Sequence, residues 1–195
     1  MKFFASLCLC AASALPAMAQ VAEVRAGVTA HDLGWTIINA DGDGDEEKSV
    51  ALNAEIIFEE PKFLKWALSP QPYIGGTLNL EGNTSYGGAG LLWRQNLGET
   101  FYGDFAFGLV IHDGFLDFED VGSNSSNVTE FLDLLRNNNL YGSRVLFRQQ
   151  LTLGLNLSDN WAAEGFVEHI SHAGLLADNA NEGSDAAGFR INRKF

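Results

Sequence analysis

A repeated pattern constrains this chain most: segments of about ten residues in which every second position is apolar, separated by turn residues. Because successive side chains of a β-strand point to opposite faces, each segment would have one apolar and one polar face. After residue 20, no apolar run approaches the roughly 20 residues that a transmembrane helix needs. Segments of this length and periodicity are typical of the strands of an outer-membrane β-barrel.

The polar faces of these segments carry charges of both signs. The charged positions are Glu55, Arg94, Asp104, Arg144, Arg148, Glu164, Glu168, Arg190 and Lys194. In a soluble β-sandwich such residues would face water, whereas in a small closed barrel they can pair with one another and fill the lumen. The apolar faces would then meet lipid, and closure would leave no strand edge unpaired in the bilayer. The pattern therefore predicts an all-β fold, an antiparallel outer-membrane barrel.

Eight strands can be assigned to a single transmembrane barrel domain at residues 20–195. The predicted strands are residues 21–29, 49–58, 71–80, 86–96, 101–112, 142–155, 161–171 and 185–195. If the N-terminus is periplasmic, every second link lies outside the cell. These links are residues 35–48, 81–85, 113–141 and 172–184. On the other side, the link 59–70 contains Phe63, Leu64 and Trp66, which indicates a short helix at the membrane interface.

The first 19 residues have the features of an export signal. Lys2 is followed by an apolar run, and residues 17–19 read Ala-Met-Ala, a small-x-small cleavage site. We therefore expect the mature chain to begin at Gln20. Both cysteines fall within the signal, so we expect no disulfide in the mature chain.

A candidate site lies at the end of the predicted seventh strand. His169 and Ser171 are two residues apart, so they share a face, and an imidazole beside a hydroxyl can activate it as a nucleophile. Asp185 opens the eighth strand, and an antiparallel register can place it opposite His169. By parity all three share the lipid-facing side with Val167 and Phe189. Polar groups there are costly unless they are paired, and an Asp–His–Ser line would both pair them and form the site of a hydrolase.

The C-terminal block carries a resemblance to a known family. It reads His-Ile-Ser-His-Ala-Gly-Leu at 169–175 and Asn-Glu-Gly-Ser-Asp at 181–185, and it resembles the outer-membrane lipid A 3-O-deacylase family (PagL-like). Weaker similarity extends through residues 72–76, 105–114 and 142–150. The resemblance implies an eight-stranded barrel in the outer membrane of a Gram-negative bacterium. It also implies a cofactor-independent serine esterase that removes the 3-linked hydroxyacyl chain from the lipid A of lipopolysaccharide.

The same resemblance implies roles for individual residues. Ser171 corresponds to the nucleophile, His169 to the general base and Asp185 to the third member of the triad. The acid of the family is usually a glutamate in an Asn-x-Gly-x-Glu run, and here that position holds the shorter Asp185. Glu182 is the alternative acid.

Four residues near the serine are candidates for contacts to the substrate or its oxyanion: His172, Ala173, Gly174 and Asn181. Members of the family commonly have asparagine directly after the serine, where this chain has His172. Backbone N–H groups from His172 to Gly174 could stabilise the oxyanion.

Two other functions remain open. The three polar residues could be rim residues bonded to loops or lipid headgroups, in a non-catalytic barrel that stabilises the membrane or binds a surface partner through residues 113–141. The chain could also be an esterase on another outer-leaflet lipid. Outer-membrane lipids are partners in each case, and a homodimer is one state the barrel could adopt.

Other motifs have simpler interpretations. Acidic residues alternate at 41–47, but the loop lacks the glycine and glutamate positions of an EF-hand, so we expect a solvated loop and no metal site. His31 and His112 have no partner at a useful spacing and are expected to be rim or lumen residues. The chain has 12 basic and 25 acidic residues and a net charge of −13, so we expect no nucleic-acid partner.

Overall fold

The computed structural model describes residues 20–33, 46–178 and 180–195. In it, eight strands form a closed antiparallel barrel, in which each strand pairs with its sequence neighbours and β1 pairs with β8. The strands are β1 Val21–His31, β2 Ser49–Phe58, β3 Gln71–Asn79, β4 Tyr86–Leu97, β5 Phe101–His112, β6 Val145–Asn156, β7 Trp161–Ser171 and β8 Ser184–Lys194. The predicted barrel and its eight strands are confirmed. The predicted export signal and the acidic residues 41–45 lie outside the described residues.

The strands alternate between buried and exposed residues as a barrel requires. In β5, Phe105 and Phe107 point outward and are about two-fifths exposed, whereas Asp104 and Ala106 point inward and are buried. Since every strand has two partners, the sheet has no free edge. In the described part of the chain, no helix is long and apolar enough to cross a membrane.

Buried ion pairs fill the lumen. Arg148 Nη2 lies 2.5 Å from both Glu55 Oε1 and Glu168 Oε2. Arg190 Nε lies 2.6 Å from Glu164 Oε2. A charge removed from water is stabilised only when such partners are in place, so the sequence supplies both signs to the inward face. The lumen is thereby a packed polar core.

The prediction of the lumen residues was incomplete at two places. Arg25 and Glu23 of β1 were missed, yet Arg25 is fully buried and its Nη2 lies 2.6 Å from Asp104 Oδ2. Arg144 was placed wrongly, because β6 begins only at Val145. Its half-exposed side chain lies above the sheet, donates to Gly114 O at 2.8 Å and pairs with Asp120 at 3.6 Å.

Three short helices lie in the parts of the links that the structure describes. A 3₁₀ helix at Lys62–Ala67 confirms the short helix predicted in the link 59–70, and Trp93 Nε1 donates to Ala67 O at 2.8 Å. The link between β5 and β6 contains α1 (Phe118–Ser123) and α2 (Val128–Arg136), which were not predicted. Their signals were present in the sequence: the side chains of Asp117 and Asn127 cap the first turns of α1 and α2.

Candidate active site

The pairing of β7 with β8 brings the candidate residues together. His169 lies directly opposite Asp185, as the predicted register requires. Ser171 is the last residue of β7, two residues beyond His169 and on the same outward face. The next outward pair toward the middle of the barrel is Val167 and Ala187, both apolar. The three polar side chains therefore lie at the loop end of a lipid-facing wall.

The three side chains form a continuous line of hydrogen bonds. His169 Nδ1 lies 2.9 Å from Asp185 Oδ1, and His169 Nε2 lies 2.9 Å from Ser171 Oγ. A carboxylate can only accept, so Nδ1 carries the imidazole proton and Nε2 is free to accept the serine proton. Since the side chains of His169 and Asp185 are only 14% and 17% exposed, water competes weakly for these bonds. This geometry can support general-base activation of a hydroxyl.

Glu182, the alternative acid, bonds to a backbone amide, whereas the carboxylate bonded to His169 is that of Asp185. The Glu182 carboxylate accepts a hydrogen bond from the amide of Leu140, and the Glu182 amide donates to Leu140 O at 3.2 Å. Burial raises the pKa of the Glu182 carboxyl above its ordinary value. Asp185 is therefore the carboxylate beside His169, and Glu182 joins the loop before β8 to the loop before β6.

His172 makes two hydrogen bonds within the loop between β7 and β8. The amide of His172 donates to Asn181 Oδ1 at 2.9 Å, and its Nε2 lies 2.9 Å from Ala180 O. Both the amide and the ring are thus engaged within the loop. Ala173 and Gly174 follow with positive φ angles of 55° and 65°. Because the His172 amide already donates to Asn181, the backbone amides of Ala173 and Gly174 are the remaining predicted donors to an oxyanion at Ser171.

Gly183 packs directly against His169 and Ser171, a contact that was not predicted from the sequence. Its φ is +68°, a conformation that favours glycine. A Cβ at this position would lie 2.9 Å from Ile170 O and 3.3 Å from both His169 Cε1 and Ser171 Cβ. The backbone at Gly183 therefore passes closely over the histidine and the serine, where a side chain would have no room.

A second polar cluster on the loop side of the barrel was not foreseen. Glu47 is fully buried and accepts hydrogen bonds from Thr84 Oγ1 at 2.9 Å and from the Asn139 amide at 3.1 Å. Its Oε2 also lies 3.3 Å from His31 Nε2. The expectation of a solvated acidic loop was therefore wrong for Glu47. His31 is buried, in agreement with the expected rim or lumen position, and its partner Glu47 comes from the following loop and was not predicted.

His112 has a partner as well, and the described residues hold no metal cluster. His112 Nε2 lies 2.7 Å from Ser143 O at the outer end of β5. Within residues 20–33, 46–178 and 180–195, no group of three or more His, Cys, Asp or Glu is arranged to hold a metal ion.

Comparison with known proteins identifies both a family and a fold. The family model described as "Lipid A 3-O-deacylase (PagL)" matches residues 61–194, which is most of the chain. No curated protein sequence matches the chain.

Three solved structures are similar in fold. The crystal structure of the outer membrane enzyme PagL has a TM-score of 0.55 and 11% identity, with 89% of this chain and 100% of that chain covered. Neisserial surface protein A (NspA) has a TM-score of 0.53 and 8% identity, with 89% and 96% covered. The N-terminal barrel domain of Pseudomonas aeruginosa OprF has a TM-score of 0.51 and 9% identity, with 91% and 100% covered. At these identities the likeness shows a shared small outer-membrane barrel.

Proposed function

Since this chain belongs to the lipid A 3-O-deacylase (PagL) family and lies in the outer membrane, we propose that it is a serine esterase with Ser171, His169 and Asp185 as its triad. The substrate is the lipid A of lipopolysaccharide, and the bond cleaved is the ester that links the 3-hydroxyacyl chain to the glucosamine. The observation that carries the assignment is the line of two 2.9 Å contacts from Asp185 through His169 to Ser171.

The first half-reaction forms an acyl-enzyme. His169 Nε2 takes the proton of Ser171 Oγ as that oxygen attacks the ester carbonyl. Asp185 stabilises the imidazolium that results, and backbone N–H groups of the turn at Ala173 and Gly174 stabilise the oxyanion. The tetrahedral intermediate then breaks its bond to the 3-oxygen of the glucosamine, which takes the proton from His169 and leaves as an alcohol.

The second half-reaction restores the enzyme. A water molecule entering from the loop side gives a proton to His169 and attacks the acyl carbonyl. The bond to Ser171 Oγ breaks, Ser171 regains its proton from His169, and the 3-hydroxy fatty acid is released. Every proton moves through one nitrogen, so both steps depend on the orientation of the His169 ring.

The position of the site on the barrel supports a lipid substrate. His169 and Ser171 face outward at the loop end of β7, directly above the apolar pair Val167 and Ala187. A lipid in the outer leaflet presents its ester bonds near the headgroup and its acyl chains below them. Such a lipid can bring an ester to Ser171 by diffusing in the membrane, without leaving it.

Mass spectrometry of lipid A from cells that express the wild type or a Ser171→Ala variant tests the proposal. We expect the wild type alone to remove one 3-hydroxyacyl unit. Both proteins must be present as folded barrels in the outer membrane. Unchanged lipid A in both strains would refute deacylation, and release of fatty acid from phospholipid instead would assign a different substrate. Loss of the acyl unit in the Ser171→Ala strain would refute the assignment of the nucleophile.

A further inference from the structure

Leu140, in the loop between β5 and β6, is a fixed point at the outer end of the barrel, because both of its neighbours in sequence are anchored. On one side, the amide of Asn139 donates to the carboxylate of the buried Glu47 at 3.1 Å. On the other side, Tyr141 is fully buried, and the centre of its ring lies 4.5 Å from that of His112. The backbone at Leu140 is therefore held by contacts outside the loop between β7 and β8.

Two hydrogen bonds join Glu182 to this fixed point. The Leu140 amide donates to the Glu182 carboxylate, and the Glu182 amide donates to Leu140 O at 3.2 Å. A bond from an amide to a carboxylate is stronger than one between neutral groups, and a pair of bonds fixes orientation as well as position. With only one of the two bonds, the backbone at Glu182 could pivot about it.

The residues that follow Glu182 contact the proposed triad. Gly183 is buried, and a Cβ there would lie 3.3 Å from both His169 Cε1 and Ser171 Cβ. Asp185, two residues further, bonds to His169 Nδ1 at 2.9 Å. A movement of the backbone at Glu182 is therefore passed on, across a single residue, to the two side chains between which the serine proton moves.

We propose that Glu182 is a positioning residue for the reaction, and that its two bonds to Leu140 hold the backbone of Gly183 against His169 and Ser171. The inference rests on the proposed function and adds to it the contact that keeps the triad aligned. Glu182 acts through Gly183 and not by touching the substrate. Without the carboxylate, the backbone at Gly183 can shift by up to about 1 Å, a displacement that can cost roughly 100-fold in rate.

Two variants at Glu182 separate the hydrogen bond from the charge. Glu182→Ala removes the acceptor for the Leu140 amide. Glu182→Gln removes the charge and keeps an oxygen that can accept from this amide. The conservative variant should therefore restore what the alanine variant loses.

Asp113→Ala is the matched control, because Asp113 makes the same pair of bonds elsewhere. Its carboxylate accepts from the Ser85 amide at 2.7 Å, and its own amide donates to Ser85 O at 3.1 Å. Asp113 and Glu182 are both exposed. The bonds of Asp113 join the ends of β4 and β5, and β4 lies across the closed barrel from β8. A loss of loop stability alone would thus affect the two alanine variants alike.

The experiment measures kcat and KM for release of 3-hydroxy fatty acid from lipid A by the purified barrels, together with their melting temperatures. For Glu182→Ala we expect kcat to fall about 10- to 100-fold while KM stays within about twofold of the wild type. For Glu182→Gln and Asp113→Ala we expect kcat within about threefold of the wild type.

A double variant tests whether Glu182 acts through Gly183. Changes that displace the same segment of backbone are not additive. Adding Glu182→Ala to Gly183→Ala should therefore lower kcat by no more than about threefold beyond the loss in Gly183→Ala alone.

Four results would overturn the proposal. Glu182→Ala could keep the wild-type kcat, Glu182→Gln could lose as much as Glu182→Ala, Asp113→Ala could show the same loss of kcat, or the losses in the double variant could multiply. If the wild type releases no fatty acid from lipid A, the proposed function itself fails. If the wild type is active and one of these four results is found, the positioning role alone fails.

Discussion

Replacing Asp185 with asparagine tests whether a carboxylate must lie beside His169. The carboxylate can only accept a hydrogen bond, so it holds the imidazole proton on Nδ1, 2.9 Å away. An asparagine amide can instead donate to Nδ1, which moves the imidazole proton to Nε2. That proton would then point at Ser171 Oγ, 2.9 Å from Nε2, and Nε2 could no longer take the serine proton.

We expect Asp185→Asn to lower kcat about 10³–10⁴-fold, equivalent to roughly 4–5.5 kcal/mol of transition-state stabilisation. The wrong tautomer and the loss of charge beside the imidazolium both contribute, and the low exposure of the pair limits compensation by water. Asp185→Glu, which keeps the charge, should retain more activity than Asp185→Asn. Glu182→Gln is the control, because its carboxylate bonds to the Leu140 amide and not to His169.

The assay is release of 3-hydroxy fatty acid by the purified barrels, with substrate varied to separate kcat from KM. A loss below about tenfold in Asp185→Asn, together with a larger loss in Glu182→Gln, would refute the argument. The triad acid would then be Glu182, and the loop would have to rearrange when substrate binds.

Three further predictions follow from the loops. Gly183→Ala should lower kcat about 100-fold while the barrel still folds. The added methyl group displaces the backbone next to His169 and Ser171 by a fraction of an ångström to about 1 Å. Wild-type turnover by this variant would contradict the prediction. Glu47→Ala should lower the free energy of unfolding by about 1–3 kcal/mol for each buried donor that it leaves unpaired, at Thr84 and Asn139. Faster amide hydrogen exchange in the loops would report this loss. The raised pKa of Glu182 means that folding favours its protonated form, so its contribution to stability is lost as the pH rises through that pKa. Glu182→Gln should therefore raise the melting temperature above that of the wild type by more at neutral pH than at acidic pH. A difference in melting temperature that decreases as the pH rises would contradict the reasoning.

The barrel and the outward position of His169, Ser171 and Asp185 could be predicted from the sequence because both depend on local alternation. A period of two assigns each residue of a strand to one face whatever its partner is, so His169 and Ser171 are placed with Val167. The register of β7 with β8 was only one of the possible pairings, and the structure shows that it places His169 opposite Asp185. The ends of β6 were less certain, which is why Arg144 was assigned to the lumen although it lies above the sheet.

Only the tertiary structure decided which partners the polar loop residues have. Glu47 bonds to the amide of Asn139, 92 residues away, and Glu182 bonds to Leu140, 42 residues away. No spacing rule connects such pairs, because closure of the barrel is what brings the loops after β1, β3, β5 and β7 to one end. The sequence by itself therefore determined the fold and which side of each strand faces lipid, since alternation is local. The acid beside His169, the close passage of Gly183 and the burial of Glu47 depend on packing between distant segments.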